Sequence, residues 1–519
     1  MTRSGDSWGE GYVTDIAYMP GYYPNQSPLH LHLACLLGGV AGVEMTPETS
    51  LSYLELGCGH GFGALVLAAS NPAWRVTGID FNPAHIAAAR DLAAEAGIAN
   101  ATFIEADLAS LTGGPLAGDV PRADIATMHG LWSWVADPVR DGIVALLDRK
   151  VRPGGVVQMS YNALPGWQGA IGMQRLLREA GQRLATRSDR QAEAGAEIVR
   201  ALAEANAGHL RGSSFVQGLL EHFGKYNSAY LAHEYMTAAW RPCFHADVVT
   251  ALAGAKLNWV ASAQLIENFT ALMLGDEARK VLDRFDDPVM RELIKDMCVN
   301  RPLRQDVFVR GAQRLSNVER DAALGEVMLA LLCPADKFTW QIDAPGGQAD
   351  LDRSFFGPIV EALAAGPRRV SDLLELPGLA RRGNPGEVVG MLVGTQQAMR
   401  VLAPAAEPDP RVRRLNAAAA RRFVRSDNLN NSMALATSGT GAPLSCPMLD
   451  LFVASQLQAR LAPDPGAWAN ALGADYAETE RQRLQEFIAL LVAERAPIWR
   501  RLGALPATSG APRPGEPVL

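Results

Sequence analysis

Three closely spaced glycines follow the first strongly apolar run of the sequence, and together these features could bind a nucleotide. The run Leu51–Leu56 predicts a buried strand and carries one acidic residue, Glu55. The glycines come directly after it at alternate positions: Gly57, Gly59 and Gly61. Glycine lets the backbone turn sharply and approach a ligand that a side chain would exclude. Because Phe62–Ala69 reads as a helix, we predict the nucleotide-binding corner of a doubly wound sheet.

The spacing of the acidic residues indicates which nucleotide is bound. A dinucleotide fold requires the pattern G-x-G-x-x-G with an acid about 20 positions further on. The pattern E-x-G-x-G-x-G found here instead resembles motif I of the class I S-adenosylmethionine-dependent methyltransferases. Asp80 closes the second predicted strand, where a carboxylate accepts hydrogen bonds from both ribose hydroxyls. Asp107 closes the third, where this fold has a carboxylate near the adenine amino group, although a solvated strand-end acid is the alternative.

Four further segments resemble signatures of one methyltransferase subfamily: Met128–Val135, Ser160–Trp167, His233–Tyr235 and Arg304–Gly311. In this subfamily a methyltransferase regulatory domain follows the catalytic core. Its best-known relatives are the rickettsial protein-lysine methyltransferases, which modify an outer-membrane surface protein. The resemblance covers residues 10–330 well and is fainter in the C-terminal third. It implies S-adenosylmethionine as cofactor, and it implies these binding residues: Glu55, Gly57, Gly59, Gly61, Asp80, Phe81, Asp107, Leu108 and His129.

The elements that must position these residues alternate regularly from Leu51 to Asn162. The five predicted strands are Leu51–Leu56, Arg75–Asp80, Ala101–Ala106, Asp124–Met128 and Val156–Tyr161. Strands that alternate with helices indicate a parallel sheet with helices on both faces. Two later strands, Leu257–Ala261 and Asp306–Arg310, would complete a seven-stranded sheet. The predicted fold class is α/β, a Rossmann-like seven-stranded class I methyltransferase core with a helical insertion and a mainly α, winged-helix-like C-terminal domain.

Changes in composition divide the chain into five predicted segments. They are an N-terminal lid segment (1–46), the methyltransferase core (47–312) with a helical insertion at about 163–240, a winged-helix-like domain (313–405), an α-rich region (411–502) and a disordered tail (503–519). In the first segment Ser27 and Pro28 suit the start of a helix over Leu29–Leu37. That helix could be a packing helix or a lid over the cofactor.

Methyl transfer from S-adenosylmethionine is an in-line displacement at a sulfonium methyl group. The protein therefore mainly positions the reactants in a dry site. A lysine nucleophile, with a reference pKa of about 10.4, must lose a proton before it attacks. Three candidate catalytic residues lie at the ends of the fourth and fifth strands: His129, Tyr161 and Asn162. His129 could accept the proton or support the strand end, and Glu234 is the alternative base.

Aromatic residues near the same strand ends are candidates for substrate binding. A low-polarity site disfavours the charged ammonium, and aromatic faces can bind a methylated cation. Trp132 and Trp134 alternate with Ser133, so one is expected in the core and the other at the pocket. The remaining substrate-binding candidates could close the site or merely pack: Trp167, Glu234 and Tyr235.

Composition and charge exclude several other functions. The net charge is −7 and the pI is about 5.8, which argues against nucleic-acid binding through a basic surface. The six cysteines lack paired spacing, which indicates buried thiols in a reducing compartment. We find no signal peptide, transmembrane segment or metal motif, and we therefore expect a cytoplasmic protein.

Three hypotheses remain open at this stage. The first is an enzyme that methylates a protein amine, most simply lysine, and the second has a small-molecule acceptor. The third is a cofactor-sensing module whose winged helix binds DNA or a partner protein. The recognition-helix candidate Glu387–Ala398 has no cationic side chain, which favours a protein partner over DNA. The sequence leaves the oligomeric state open, a dimer included.

Overall fold

A seven-stranded sheet lies at the centre of the computed structural model, which describes residues 11–16, 18–223, 228–459 and 462–507. The strand order is β3-β2-β1-β4-β5-β7-β6, and β7 alone runs antiparallel to its neighbours. The strands are β1 (Ser52–Leu56), β2 (Arg75–Asp80), β3 (Ala101–Glu105), β4 (Ala123–Met128), β5 (Val151–Asn162), β6 (Leu257–Ser262) and β7 (Leu303–Arg310). This arrangement confirms the predicted Rossmann-like core. The strand order reverses between β1 and β4, which is where ligands bind in open α/β sheets.

Helices cover both faces of this sheet. Those before the insertion are α1 (Pro28–Leu37), α2 (Phe62–Ser70), α3 (Pro83–Ala96) and α4 (Asp137–Lys150). Helix α3 begins where the Asn82 side chain accepts a hydrogen bond from Ala84 N at 2.9 Å, and it ends at Gly97, whose φ of 67° suits glycine. By contrast, Ser27 precedes α1 without the side-chain cap that its sequence position predicts.

The insertion is helical, as predicted, and has an apolar core of its own. Its helices are α5 (Ile171–Leu184), α6 (Ser188–Glu204), α7 (Gly208–Arg211), α8 (Ser214–His222) and α9 (Ser228–Tyr235). Helices α5 and α6 approach closely because Gly181 and Gly195 lack side chains. A Cβ atom on Gly195 would lie 2.2 Å from the carbonyl oxygen of Leu177. The core packs on the sheet through Trp134 and Trp167.

Four helices connect the insertion to the last strands and to the following region: α10 (His245–Ala253), α11 (Thr270–Met273), α12 (Asp276–Leu282) and α13 (Pro288–Val299). Beyond β7 come α14 (Asn317–Gly325), β8 (Met328–Leu331), β9 (Gln341–Ala344), β10 (Gly347–Asp350), α15 (Arg353–Ala365), β11 (Arg368–Arg369), α16 (Val370–Leu374), α17 (Pro385–Gly394) and β12 (Ala398–Val401). β8 lies between β11 and β12 in an antiparallel three-stranded sheet. The winged-helix interpretation of this region stays a prediction.

The C-terminal region packs directly on the core. It contains α18 (Pro410–Phe423), β13 (Ser432–Leu435), β14 (Leu444–Pro447), α19 (Met448–Ala459), α20 (Pro465–Leu472), α21 (Glu478–Glu494) and α22 (Ala496–Arg501). Helix α18 contacts α2 and α3, and Arg421 and Arg422 both pair with Glu95. Apolar residues of α2 are therefore buried on both sides, towards the sheet and towards α18.

The predicted disordered tail needs a correction at its start. Ala504 and Leu505 are buried, and Ser438 N donates a hydrogen bond to Gly503 O at 3.0 Å. Residues 503–505 therefore belong to the packed region, whereas 508–519 lie outside the described residues. Within the described ranges, no helix is long and apolar enough to cross a membrane.

Candidate functional site

One cavity opens at the carboxyl ends of the central strands, where the strand order reverses. Its empty space, including the part open to solvent, is about 1300 Å³. The predicted cofactor and substrate residues that line it are Glu55, Gly57, Gly59, Asp80, Phe81, Asp107, Leu108, His129 and Trp134. Residues that are far apart in the sequence thus meet at one edge of the sheet.

The glycine turn is tied to the neighbouring strand by its backbone. The amides of Gly57 and Cys58 both donate to the carbonyl oxygen of Ile79, at 2.8 and 3.0 Å. Gly59 has a φ of 52°, and a Cβ there would meet nothing within 4 Å, so its backbone conformation rather than crowding favours glycine. The turn therefore presents open backbone to the cavity.

Gly61 does not have the cofactor-binding role that the sequence predicts for it. It does not line the cavity, and a Cβ atom on it would lie 2.5 Å from Phe103 and 2.7 Å from Ala89. Its φ of 69° also suits glycine. Gly61 lets the start of α2 pack tightly against β3 and α3, which is a packing role and not a ligand contact.

Glu55 is a buried acid at the end of β1 with one carboxylate oxygen unused. Burial raises the pKa of Glu55 to about 8, although a hydrogen bond from the Ala64 amide lowers it. Oε2 has no hydrogen-bond partner among the described residues. A buried acceptor without a donor is costly, so this oxygen fits a ligand that brings a donor, such as the ammonium group of an amino-acid moiety.

Asp80 is held at the end of β2 by three groups. Gly59 N donates to Oδ2 and Asn82 N donates to Oδ1, both at 2.9 Å, and His85 Nδ1 lies 3.3 Å from Oδ1. A carboxylate offers about four acceptor positions, and the two backbone amides take two of them. The tautomer of His85 decides whether its Nδ1 takes a third, so at least one position is left for a ribose hydroxyl. The residues present therefore fit a ribose at this position.

Asp107 and Leu108 follow β3 and differ in exposure. Leu108 is buried, whereas Asp107 is exposed and its Oδ1 accepts a hydrogen bond from Ala109 N at 2.9 Å. Both residues line the cavity. The geometry is compatible with an adenine contact and also with a local turn, so the role of Asp107 stays a prediction.

His129 follows β4 and lies under an aromatic ring. The rings of Tyr23 and His129 stack with centroids 3.6 Å apart and planes 23° apart. His129 Nδ1 lies 3.1 Å from Ser160 Oγ, which also accepts from Gly130 N at 2.9 Å. Burial lowers the pKa of His129 to about 4, since it disfavours the charged imidazolium. The ring is neutral near pH 7 and is a weak base, so a hydrogen-bonding role suits it better than proton uptake.

Asn162 and Glu234 contact each other, although they come from the sheet and the insertion, and neither of them lines the cavity. Asn162 Nδ2 donates to Glu234 Oε1 at 3.3 Å. Burial raises the pKa of Glu234 to about 7, against the lowering effect of that hydrogen bond. The negative charge of Glu234 in turn contributes to raised pKa values of three tyrosines that line the cavity: Tyr12, Tyr18 and Tyr23.

Three other predicted residues do not reach the cavity. Trp132 is buried in the main core under the Arg140 guanidinium, 5.8 Å from its ring centroid. Trp167 and Tyr235 lie in the core of the insertion, with ring centroids 6.3 Å apart. Of the tryptophan pair, Trp134 lines the cavity and Trp132 is the core residue. This resolves the alternative that the sequence left open.

Tyr161 also faces away from the cavity, which argues against its predicted catalytic role. Its side chain is fully buried, and its hydroxyl donates to Asp306 and lies 3.2 Å from His245 Nδ1. Asp306 also accepts two hydrogen bonds from Arg304, both at 2.9 Å. Because adjacent residues of a strand point to opposite faces, Asn162 can approach Glu234 only if Tyr161 points to this charged network.

The sequence interpretation missed several cavity residues in the N-terminal segment. Tyr12, Tyr18 and Tyr23 cover the cavity, and His60 Nε2 of the glycine turn donates to Tyr18 O at 2.9 Å. Helix α1 instead packs elsewhere, with His30 Nε2 donating to Ala263 O at 2.6 Å. The covering residues therefore lie in 12–16 and 18–23, ahead of the helix. The available signal was the density of tyrosines there.

Comparisons with known proteins agree with this geometry. A model of the methyltransferase domain matches residues 54–155, and a model of the predicted methyltransferase regulatory domain matches residues 227–310. The chain is 34% identical over 367 residues to the uncharacterized protein sll1526 of Synechocystis sp., covering 71% of each chain. It is 24% identical over 326 residues to the uncharacterized protein RP789 of Rickettsia prowazekii, covering 60% of this chain and 56% of that protein.

A solved structure extends the similarity over almost the whole chain. PKMT2 from Rickettsia typhi, in complex with AdoHcy, is similar with a TM-score of 0.66 at 16% sequence identity. The match covers 94% of this chain and 100% of that one. At this level of identity the likeness concerns the fold.

Proposed function

The chain belongs to the class I S-adenosylmethionine-dependent methyltransferases that carry a methyltransferase regulatory domain, and from that premise we propose that it methylates a protein lysine amine. The observation that carries the proposal is the Asn162–Glu234 pair, since the charge of Glu234 acts on tyrosines that line the cofactor cavity although the pair itself does not line it. Glu234 has a pKa of about 7, so it is a carboxylate that can accept a proton near neutral pH. A protonated amine that must lose a proton before attack needs such a base.

The proposed cofactor residues each have a chemical reason. The free oxygen of Glu55 can accept a hydrogen bond from the cofactor ammonium group, and Asp80 can accept from a ribose hydroxyl. Asp107 and Leu108 form the proposed adenine side, with Phe81 beside them. Gly57 and Gly59 supply open backbone, and His129 with the Tyr23 ring over it forms part of the wall.

Bound S-adenosylmethionine supplies an activated methyl group on a sulfonium, and the protein groups prepare the acceptor. Glu234 takes one proton from the lysine ammonium, which frees the nitrogen lone pair. The Asn162 side-chain oxygen can accept a hydrogen bond from the amine and orient it, while its Nδ2 holds Glu234. A carbon–nitrogen bond then forms as the carbon–sulfur bond breaks, and the proton leaves from Glu234 to solvent.

The aromatic side chains that cover the cavity support an amine as the methyl acceptor. The His233 ring contacts the rings of both Tyr12 and Tyr18, at centroid distances of 5.8 and 5.0 Å. Aromatic faces exclude water from the amine and still attract a methylated cation. The likeness of the fold to PKMT2 and the subfamily signatures favour a protein as the bearer of that amine. A cytoplasmic location stays part of this proposal.

The test is transfer of labelled methyl groups into cell extract by the full chain, followed by mass spectrometry of the labelled proteins. We expect methylated lysine in protein bands, and no label with the cofactor-site variant Asp80→Ala. Asp91→Ala serves as the matched control, because Asp91 is an exposed acid on helix α3. Label confined to small molecules would contradict the protein substrate while leaving the methyltransferase activity intact.

A further inference from the structure

A second cavity lies on the other side of the N-terminal segment, between α1 and the C-terminal region. Its empty space, including the part open to solvent, is about 1460 Å³. Its walls come from residues 22–33, from the end of α17 through β12, from the β13–β14 hairpin and from α22. It shares no lining residue with the cofactor cavity.

The cavity contains a guanidinium group without a counter-ion. Arg400 of β12 lines it, and the buried Nη1 atom of Arg400 has no hydrogen-bond partner among the described residues. Burial lowers the pKa of Arg400 to about 10, because the charge is poorly solvated there. The same charge, together with burial, depresses the pKa of the neighbouring His32. Arg400 is partly buried, its Nη1 is unsatisfied, and the described part of the chain gives it no acid partner. This arrangement is costly, and an anion that docks against the guanidinium would remove the cost.

A second arginine at the cavity is only loosely paired. Arg495 Nη1 lies 3.7 Å from Asp450 Oδ2, which is too far for a hydrogen bond. That Asp450 oxygen is buried and has no hydrogen-bond partner in the described part of the chain. Arg495 also lines the cavity and adds positive charge to it, while burial raises the pKa of the Asp450 carboxyl and the charge of Arg495 opposes this rise.

The rest of the lining is largely apolar. Trp499 and Leu444 are buried side chains, and Met399 is partly buried beside them. We propose that this cavity binds a small amphiphilic anion, whose carboxylate or phosphate group contacts Arg400 and whose apolar part packs against Trp499, Met399 and Leu444. An inorganic anion alone would leave the apolar walls without a partner.

A shared wall connects this cavity to the cofactor site. Tyr22, Pro24, Asn25 and Ser27 line the second cavity, whereas Tyr23 and Gln26, between them in sequence, line the first. Tyr23 stacks on His129, and Gln26 Nε2 donates to Thr127 Oγ1 of β4 at 3.3 Å. On the far side Ser432 Oγ of β13 donates to Tyr22 O at 3.1 Å. An occupant of the second cavity would contact this shared wall, and we expect the affinities of the two ligands to be coupled reciprocally.

The test uses the full chain and four probes: octyl phosphate, octanoate, n-octanol and inorganic phosphate. Calorimetry and thermal melting are measured with each probe. We expect one or both amphiphilic anions to bind and to raise the melting temperature with the logarithm of their concentration. The comparison of octyl phosphate with octanoate identifies the preferred head group. Equal binding of n-octanol, or of inorganic phosphate alone, would overturn the amphiphilic anion as the ligand.

The sheet that contains Arg400 offers a matched control. Arg400 of β12 and Arg368 of β11 both pair with Leu329 of β8, from opposite sides, and Arg368 is exposed. We expect Arg400→Met to weaken anion binding at least about tenfold, as befits a lost charge-assisted hydrogen bond, and Arg368→Met to leave it unchanged. Arg400→Lys retains the charge and should retain part of the affinity. Equal binding by folded Arg400→Met would overturn the site.

A separate measurement tests the coupling between the two cavities. The dissociation constant of S-adenosylmethionine is measured with and without the saturating amphiphilic anion, in the wild type and in Arg400→Met. We expect a several-fold change in the wild type that is absent in the variant. An unchanged constant in the wild type would overturn the coupling, and an equal change in the variant would show that the anion acts at another place.

Discussion

The Tyr23 ring lies on the His129 ring, with centroids 3.6 Å apart, and so joins the N-terminal segment to the end of β4. Both residues line the cofactor cavity. The contact lies at the wall of the cavity, and it ties the covering segment to the residue that follows β4.

Removing this stack should weaken cofactor binding. Tyr23→Ala deletes the ring over His129, whereas Tyr23→Phe keeps it. An aromatic pair of this kind contributes about 0.5–1.5 kcal/mol, so we expect Tyr23→Ala to raise the dissociation constant of S-adenosylmethionine by roughly two- to tenfold. Calorimetry measures it, with Tyr230→Ala as control because Tyr230 is an exposed tyrosine of the insertion. Equal affinity of Tyr23→Ala and the wild type would exclude a covering role.

Glu234→Gln should reduce methyl transfer without affecting cofactor binding. A general base contributes about 10²–10⁴-fold to a rate, and glutamine keeps the size of the side chain but cannot take the proton. Since the base must be ionised and its pKa is about 7, wild-type kcat should rise as pH increases through 7 and then level off.

The matched control for this change is Glu221→Gln, at an exposed acid of the same insertion. Its kcat and pH profile should be those of the wild type. A Glu234→Gln enzyme that keeps the wild-type profile would remove Glu234 from the mechanism.

Glu55→Gln should stabilise the free protein in mildly alkaline solution while weakening cofactor binding. The folded-state pKa of Glu55 is about 8, against 4.5 for the solvated group, so the folded protein binds this proton more tightly than the unfolded chain. The unfolding free energy therefore falls as pH rises from 4.5 to 8, because the unfolded chain releases the Glu55 proton over this range whereas the folded protein keeps it. Glutamine avoids this loss.

Denaturant unfolding at pH 5 and pH 8 measures the effect. The variant should exceed the wild type in stability at pH 8, and the difference should shrink at pH 5. If the stability difference were the same at both pH values, the raised pKa of Glu55 would be wrong.

Tyr161→Phe should lower stability and leave methyl transfer unchanged. The change removes the hydroxyl that donates to the buried carboxylate of Asp306. A hydrogen bond to a charged group contributes about 1.5–3 kcal/mol to stability, and we expect a loss of that order in the unfolding free energy. Steady-state kinetics at a temperature where the variant is folded should give wild-type kcat and KM. A reduced kcat there would restore the catalytic role predicted from the sequence.

Much of the cofactor site was predictable because its residues lie at the ends of strands. The alternation of strands and helices determines that Glu55, Asp80 and Asp107 meet at one edge of a parallel sheet, whatever the rest of the chain does. The glycines could be recognised for the same reason. The different roles of Gly59 and Gly61 could not be predicted, since it is close packing, against Phe103 above all, that distinguishes Gly61 from Gly59.

The arrangement of the residues that we propose to act on the methyl acceptor depends on the tertiary structure alone. Tyr161 and Asn162 are neighbours in one strand, and the sequence determines that they face opposite sides but not which side faces the cavity. That choice depends on Asp306 from β7 and on Glu234 from the insertion, both far along the chain. The position of the N-terminal tyrosines over the cavity likewise depends on contacts between distant segments. A local pattern specifies strands, turns and the acids at their ends, whereas contacts between distant segments depend on how their apolar faces pack.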